Sequence, residues 1–311
     1  MGKTYRIGTR GSKMALAQTQ KIIDTLKQVA PENEYEAVVI KTTGDKFMGD
    51  LKKIGGKGLF VKEIEQALLD GEVEMAMHSM KDVPGDVDLP EGLVIPAMLE
   101  RDDIRDVAVC RKGETFIGLK PGSKVGTSAP RRAAALKAAF PYLEIVPIRG
   151  AADTRVGKLD VGEVDSLIMA KSGLERIGYA NRISEVFEPD MLCPALSQGV
   201  VGIQCRESDA DVVSLLEKVN HKDTFTCVTT ERILLKALQG NCHTPIAGFC
   251  EVTKGGNLRF IALVSSPDGQ EVIRAREKMP YEDYEKLGVK VAESLLAQGA
   301  KQIIENIKKA S

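Results

Sequence analysis

The stretch His78-Ser79-Met80-Lys81-Asp82-Val83-Pro84 sets a cation beside a carboxylate where an apolar run, Val73 to Met77, ends. The run reads as a buried strand. In open α/β sheets, ligands bind at the carboxyl ends of strands. Asp82 in that place can serve a cationic intermediate, and Lys81 can hold an anionic group. A plain strand exit with two solvated charges fits the heptad about as well.

Other turns bear chemistry of a complementary kind. Gly126-Thr127-Ser128-Ala129-Pro130-Arg131-Arg132 follows one strand and opens a helix, and Ile148-Arg149-Gly150 with Thr154-Arg155 repeats the arrangement after the next. Thr9-Arg10-Gly11-Ser12 is a further strand-to-helix turn in the first part of the chain. Backbone N–H groups at a helix start attract anions, and guanidiniums grip carboxylates through two parallel bonds. One such turn alone would read as an ordinary cap, whereas the set implies a ligand with many negative groups. Between Lys124 and Lys158, seven Lys/Arg stand against two Asp/Glu in a chain of net charge -1. That local excess suits an anionic small molecule better than a polymer such as nucleic acid.

Lys52-Lys53-Ile54-Gly55-Gly56-Lys57-Gly58 invites a phosphate-loop reading and fails it. Leu51 stands where that motif needs its first glycine, Gly58 follows Lys57 where it needs Ser or Thr, and Val61 breaks G-x-G-x-x-G. A loop whose Lys53 and Lys57 meet ligand anions is the better reading. Gln239-Gly240-Asn241-Cys242-His243-Thr244-Pro245 is a polar turn that would present Cys242. The other cysteines (110, 193, 205, 227 and 250) read as small buried hydrophobes. No CxxC pair is present, which argues against zinc and leaves no expected metal site.

The elements that must position these groups follow from patterning. Strands are expected at Tyr5–Thr9, Tyr35–Thr43 and Glu74–Met77, with a helix capped by Ser12 and another from Leu59 to Leu69. This order implies a parallel sheet. It restarts with strands at Val107–Cys110, Lys124–Gly126, Leu143–Ile148 and Ser166–Met169, and helices near Arg131–Ala139 and Asp153–Leu159. Val200–Cys205 reads as a strand returning to the first lobe. Beyond about Asn220 come a helix from Thr224 to Leu238, strands near Ile246–Val252 and Leu258–Val264, and one long helix from Tyr281 to Ile307. The expected fold is α/β: two lobes facing a cleft (1–98 with 198–218, and 104–193) and a C-terminal α+β domain over 222–311. With 43% hydrophobic residues the chain can bury a sizeable core. No apolar stretch approaches a membrane span and Met1 to Ser12 lacks a signal-peptide core, so a cytoplasmic protein is expected, and a monomer. On the residues alone, a binder of an organic anion and an enzyme acting on one both remain open.

Together these stretches resemble the porphobilinogen deaminase (hydroxymethylbilane synthase) family. The resemblance runs through Thr9-Arg10 to Gln18, Gly55 to Glu63, His78 to Pro84, Gly126-Thr127-Ser128 with Arg131-Arg132, and Ile148-Arg149-Gly150. It continues through Thr154-Arg155, Lys158-Leu159-Asp160, Gln198-Gly199, Cys205-Arg206, Glu231-Arg232 and Gly240-Asn241-Cys242. It implies periplasmic-binding-protein-like lobes and a dipyrromethane cofactor joined to Cys242 by a thioether. The implied reaction extends that primer by four porphobilinogen units with loss of ammonia, then frees a linear tetrapyrrole by hydrolysis.

The resemblance also distributes roles. It makes Asp82 catalytic and places Ser79, Lys81, Asp82, Thr127, Ser128, Arg131, Arg132, Arg149 and Gly150 with Cys242 around the cofactor. It assigns Arg10, Ser12, Gln18, Lys53, Lys57, Phe60, Arg149, Arg155 and Gln198 to the substrate. This chain departs from the usual pattern at Ala129-Pro130 (often Ser-Leu), Ala151 (commonly Asn), Ser197 (frequently Gly) and Gln204 (frequently Glu).

Overall fold

The computed structural model describes residues 2–46, 58, 60–239 and 244–310. They fall into two compact units, one comprising Met1–Arg101 with Val200–Phe225 and the other Asp102–Gly199 with Thr226–Ser311.

In the first unit, strand β1 (Thr4–Thr9) leads into helix α1 (Lys13–Val29). Ser12 caps α1, its Oγ accepting from the Ala15 N–H. Ala15, Gln18, Thr19, Ile22, Ile23 and Leu26 recur at helical spacing and form its buried face. Strand β2 (Glu34–Val39), a helical turn α2 (Thr43–Lys46), helix α3 (Lys62–Leu69), β3 (Met75–Ser79) and β4 (Leu93–Met98) follow. The expected strand thus stops at Val39, before Thr43 turns helical. The expected helix starts at Lys62, three residues later than its apolar pattern suggested.

The second unit continues with β5 (Asp106–Cys110), β6 (Lys124–Gly126), α4 (Pro130–Ala139), β7 (Glu144–Val146), α5 (Ala152–Asp160), β8 (Ser166–Ala170), α6 (Lys171–Arg176) and β9 (Glu185–Phe187). The chain then returns as β10 (Val201–Arg206) to the first unit's sheet, of order β2-β1-β3-β10-β4. Its β1, β2 and β3 are parallel, as the alternation of strands and helices implies, but β10 runs antiparallel to both neighbours, so the sheet is mixed. The second unit's sheet, β7-β6-β8-β5-β9, repeats the design: three parallel strands, an antiparallel one, then an edge strand.

After α7 (Ala210–Glu217) and α8 (Lys222–Leu238) comes an antiparallel sheet of β11 (Ile246–Val252), β12 (Asn257–Ser265) and β13 (Val272–Pro280). Helices α9 (Tyr284–Ala297) and α10 (Ala300–Ala310) complete the chain. The single long helix expected here is two, because Gly299 at φ +104° turns the backbone where no helix can continue. Their Leu287, Val291, Leu295 and Ile303 pack on Leu258, Phe260 and Val264 of β12. Strands β4 and β13 escaped the sequence reading, as did the three-residue β9. Pro96 interrupts the first, a residue that edge strands tolerate, and the second carries charged residues along an edge.

Alternation along the strands decides what each functional residue meets. Met75 and Met77 pack with Ile22 and Leu26 of α1 and Leu215 of α7, whereas Ala76 packs with Ile64 and Leu68 of α3 on the other face. In the second unit, Val107 and Val109 pack with Val156 and Leu159 of α5, while Ala108 and Cys110 share a cluster with Leu136 of α4.

Candidate active site

Strand β3 carries its pattern to its last residues. Ser79, on the α1 face, accepts a hydrogen bond from Gln18 Nε2 at 2.7 Å, so two residues distant in sequence meet. His78, on the α3 face, is fully buried, with Nε2 2.8 Å from Gln204 Oε1. The Gln204 amide in turn donates to Glu65 Oε1 at 3.1 Å. Burial holds the imidazole down to about 4, so it is neutral at neutral pH and Nε2–H is the donor to the Gln204 oxygen. Burial also raises Glu65, against the hydrogen bond from Gln204. The chain then makes a tight turn over Met80–Asp82, pinned by the Met80 N–H donating to the Val200 carbonyl at 3.0 Å. Lys81 and Asp82 emerge exposed immediately after a strand whose first four residues are buried. The two charges therefore stand on a backbone fixed by the sheet's interior.

Arg10 lies at the matching end of β1. It forms an ion pair with Asp45 and stacks on Phe60, with Cζ 4.0 Å from the ring centroid. Ser12 spends its hydroxyl on the α1 cap. Lys53, Lys57 and Cys242 lie outside the described residues.

In the second unit the twin arginines do something that sequence reasoning missed. The sequence reading has them grip the carboxylates of a ligand from a helix start. Instead both are buried around Asp106, whose side chain is inaccessible to solvent. Arg131 reaches Asp106 at 2.6 and 3.2 Å, Arg132 at 3.1 and 2.7 Å, and Gln198 Nε2 donates to the same carboxylate at 2.9 Å. Arg131 also donates to the Cys193 carbonyl and to Gln198 Oε1, and Arg132 to the Ile168 carbonyl. Burial opposes ionisation of Asp106, but the two guanidinium charges outweigh it and hold the carboxyl well below the usual range. Two guanidiniums thus share the one Asp106 carboxylate.

The neighbouring turns are tied by hydrogen bonds. Ser128 Oγ donates to the Ile148 carbonyl and accepts from its N–H, tying the first turn to the second. Thr127, buried, accepts from the Ala129 N–H. Arg155 Nε donates to the Gly150 carbonyl at 2.8 Å, and Arg149, just before Gly150, is half-buried. The five described cysteines are all buried, and burial pushes the Cys193 and Cys205 thiols up to about 12, so neither is a ready nucleophile. No helix among the described residues is long and apolar enough to cross a membrane.

Two family models match consecutive parts of the chain: "Porphobilinogen deaminase, dipyromethane cofactor binding domain" over residues 5–214 and "Porphobilinogen deaminase, C-terminal domain" over 225–297. The chain belongs to the porphobilinogen deaminase family. Its relatives in that family include porphobilinogen deaminase 2 of Streptomyces coelicolor, 44% identical over 97% of this chain and 96% of that protein. The porphobilinogen deaminase of Exiguobacterium is also 44% identical, over 97% and 98%, and that of Staphylococcus carnosus 41% identical over 98% of each. Among solved structures, the methionine-binding protein MetQ is similar over 73% of this chain and 93% of its own at 15% identity, with a TM-score of 0.45. The architecture given above rests on this chain's own sheets.

Proposed function

We propose that this chain is a porphobilinogen deaminase: a transferase of tetrapyrrole biosynthesis that joins four porphobilinogen units head to tail and releases hydroxymethylbilane. The observation that carries the reading is the exposed Asp82 carboxylate at the end of buried β3, in a chain whose residues 5–214 match the cofactor-binding model.

The residues present suit a polycarboxylate group. The Asp106 cluster sets two buried guanidiniums against one carboxylate, an arrangement that favours a ligand carboxylate nearby. Cys242 is the residue proposed to hold dipyrromethane through a thioether, with Ser79, Lys81, Thr127, Ser128, Arg131, Arg132, Arg149 and Gly150 binding it. When bound, the dipyrromethane supplies the primer on which the chain of pyrroles grows.

The protein groups have separable tasks. Loss of ammonia from porphobilinogen leaves a cationic azafulvene, and a fixed carboxylate stabilises that charge where it develops. Supporting this role, the turn that carries Asp82 follows directly from β3 and is tied at Met80, whose N–H donates to the Val200 carbonyl. Asp82 can also accept pyrrole N–H bonds and pass protons. Each unit brings an acetate and a propionate, for which Arg10, Ser12, Lys53, Lys57, Arg149 and Arg155 are the proposed contacts; Gln18 and Phe60 are proposed to meet other parts of the substrate, and Gln198, buried against Asp106 and Arg131, to act from behind them. Arg131 and Arg132 act from the interior, their orientation set by Asp106. A thioether on Cys242 would suit an anchor, because such a bond would resist acid-assisted cleavage. We further propose a monomer acting in the cytoplasm, in three domains with the boundaries given from sequence.

Asp82→Asn removes the charge and keeps the shape. Ammonia release from porphobilinogen should fall by about 10²–10³ in kcat, as for loss of a preorganised electrostatic group. Turnover within a few fold of the parent enzyme would reassign the role.

A further inference from the structure

We propose that Asp45 is a positioning residue for Arg10, holding the guanidinium so that its outer edge is presented to a carboxylate of porphobilinogen. The inference rests on the reading of Arg10 as a substrate contact and goes beyond it by assigning a residue outside that set.

Arg10 is restrained in more than one direction. Its Nε lies 3.1 and 3.2 Å from the two Asp45 oxygens, and Nη2 lies 2.5 Å from Oδ1. Its face rests on the Phe60 ring at 4.0 Å. The ring itself is backed by Gly44, where a Cβ would fall 2.2 Å from the nearest ring atom, so no larger residue fits behind it unmoved. Asp45 is held in turn: Thr42 Oγ1 donates to its Oδ2 at 2.8 Å, and the Asp45 N–H donates to the Thr42 carbonyl at 3.1 Å. The Thr43 N–H donates to Glu63 Oε1 at 2.7 Å, fastening the same segment to α3.

The edges taken and left give the arrangement its meaning. Among the described residues, Arg10 donates only through Nε and Nη2, both to Asp45. A guanidinium has five N–H groups in a rigid fork. With the Nε side engaged, Nη1 and the second N–H of Nη2 remain together at the end, the geometry a carboxylate meets with two bonds. A long side chain already ordered loses less freedom when ligand binds. Burial opposes ionisation of Asp45, but hydrogen bonds from Arg10 and Thr42 outweigh it, so the clamp is charged at working pH.

The opposite possibility is that Asp45 competes with substrate for Arg10, and the two make opposite predictions. With the holoenzyme and porphobilinogen, positioning requires Asp45→Asn to raise KM about tenfold, by a larger factor than it lowers kcat. Asp45→Glu, which keeps the charge, should recover part of that loss. Gly44→Ala, which displaces Phe60 without touching a charge, should move KM the same way. A KM that falls in Asp45→Asn shows competition and overturns the proposal. An unchanged KM in Asp45→Asn, with a raised KM in Arg10→Lys, overturns it also by making Asp45 a bystander. An unchanged KM in Arg10→Lys instead refutes the underlying reading of Arg10 itself.

Discussion

Replacing Asp106 with Asn would leave two buried guanidiniums side by side without their anion. Five N–H groups converge on that carboxylate, four from Arg131 and Arg132 and one from Gln198, and its side chain has no solvent exposure. An isosteric amide keeps one acceptor oxygen, turns the other position into a donor facing donors, and removes the charge. Breaking a buried pair by deleting one partner costs about 3–5 kcal/mol, because the remaining charge stays desolvated. Here two charges remain, so the upper part of that range applies. Against a total stability of about 5–15 kcal/mol, the loss is large. In urea, with a slope of about 3 kcal/mol per M, the midpoint should drop by about 1 M or more. Removing one surplus cation should repair part of it, so Asp106→Asn with Arg132→Gln should be less destabilised than the sum of the single changes. Because Asp106 ionises far below its ordinary range, its stabilisation is present above about pH 4 and fades only below it. The midpoint difference should therefore be constant from pH 5 to 8. A cost below about 1 kcal/mol, or strict additivity in the double variant, would refute the reasoning.

Ser197 occupies the left-handed region at φ +63° and is 1% exposed, with its Oγ unpartnered among the described residues. Its N–H donates to Glu231, a bond glycine keeps. Ser197→Gly relieves backbone strain and an unmet hydroxyl at the expense of chain entropy, so it should stabilise by about 1 kcal/mol and raise the melting temperature by about 2–4 °C; a lower melting temperature argues against it. His78 should stay neutral in an NMR titration until about pH 4. As pH falls from 6.5 the unfolded chain takes the proton first, so stability should decline between pH 6.5 and about 4, by about 3 kcal/mol in all. Gln204→Glu puts a carboxylate beside the ring and should move its titration upward; an unmoved His78 signal would mean that the Gln204 contact does not govern it.

Periodicity made most of the scaffold legible. The apolar faces of α1, β3 and β10 identified the first sheet, and Ser12 announced the start of α1. Edge strands were harder because half their residues face water, and Pro96 or a row of charges hides the alternation. The Lys81-Asp82 pair was readable because two charges abruptly end an apolar run. Asp106 was not: it follows Arg101-Asp102-Asp103 and reads as part of a solvated boundary, yet its partners lie 25 and 26 residues on, where only the fold of β5 against α4 unites them. The partners of Gln204 and the role of Asp45 escaped for the same reason, since a long-range hydrogen bond leaves no periodic trace in a chain.

The most direct test is the intact mass of the purified protein, expressed with porphobilinogen available, beside that of Cys242→Ser. The account requires the parent chain to exceed its sequence mass by two linked pyrrole units, and the variant to match its sequence mass. A parent chain of unmodified mass, or an adduct that persists when residue 242 has no thiol, would contradict it.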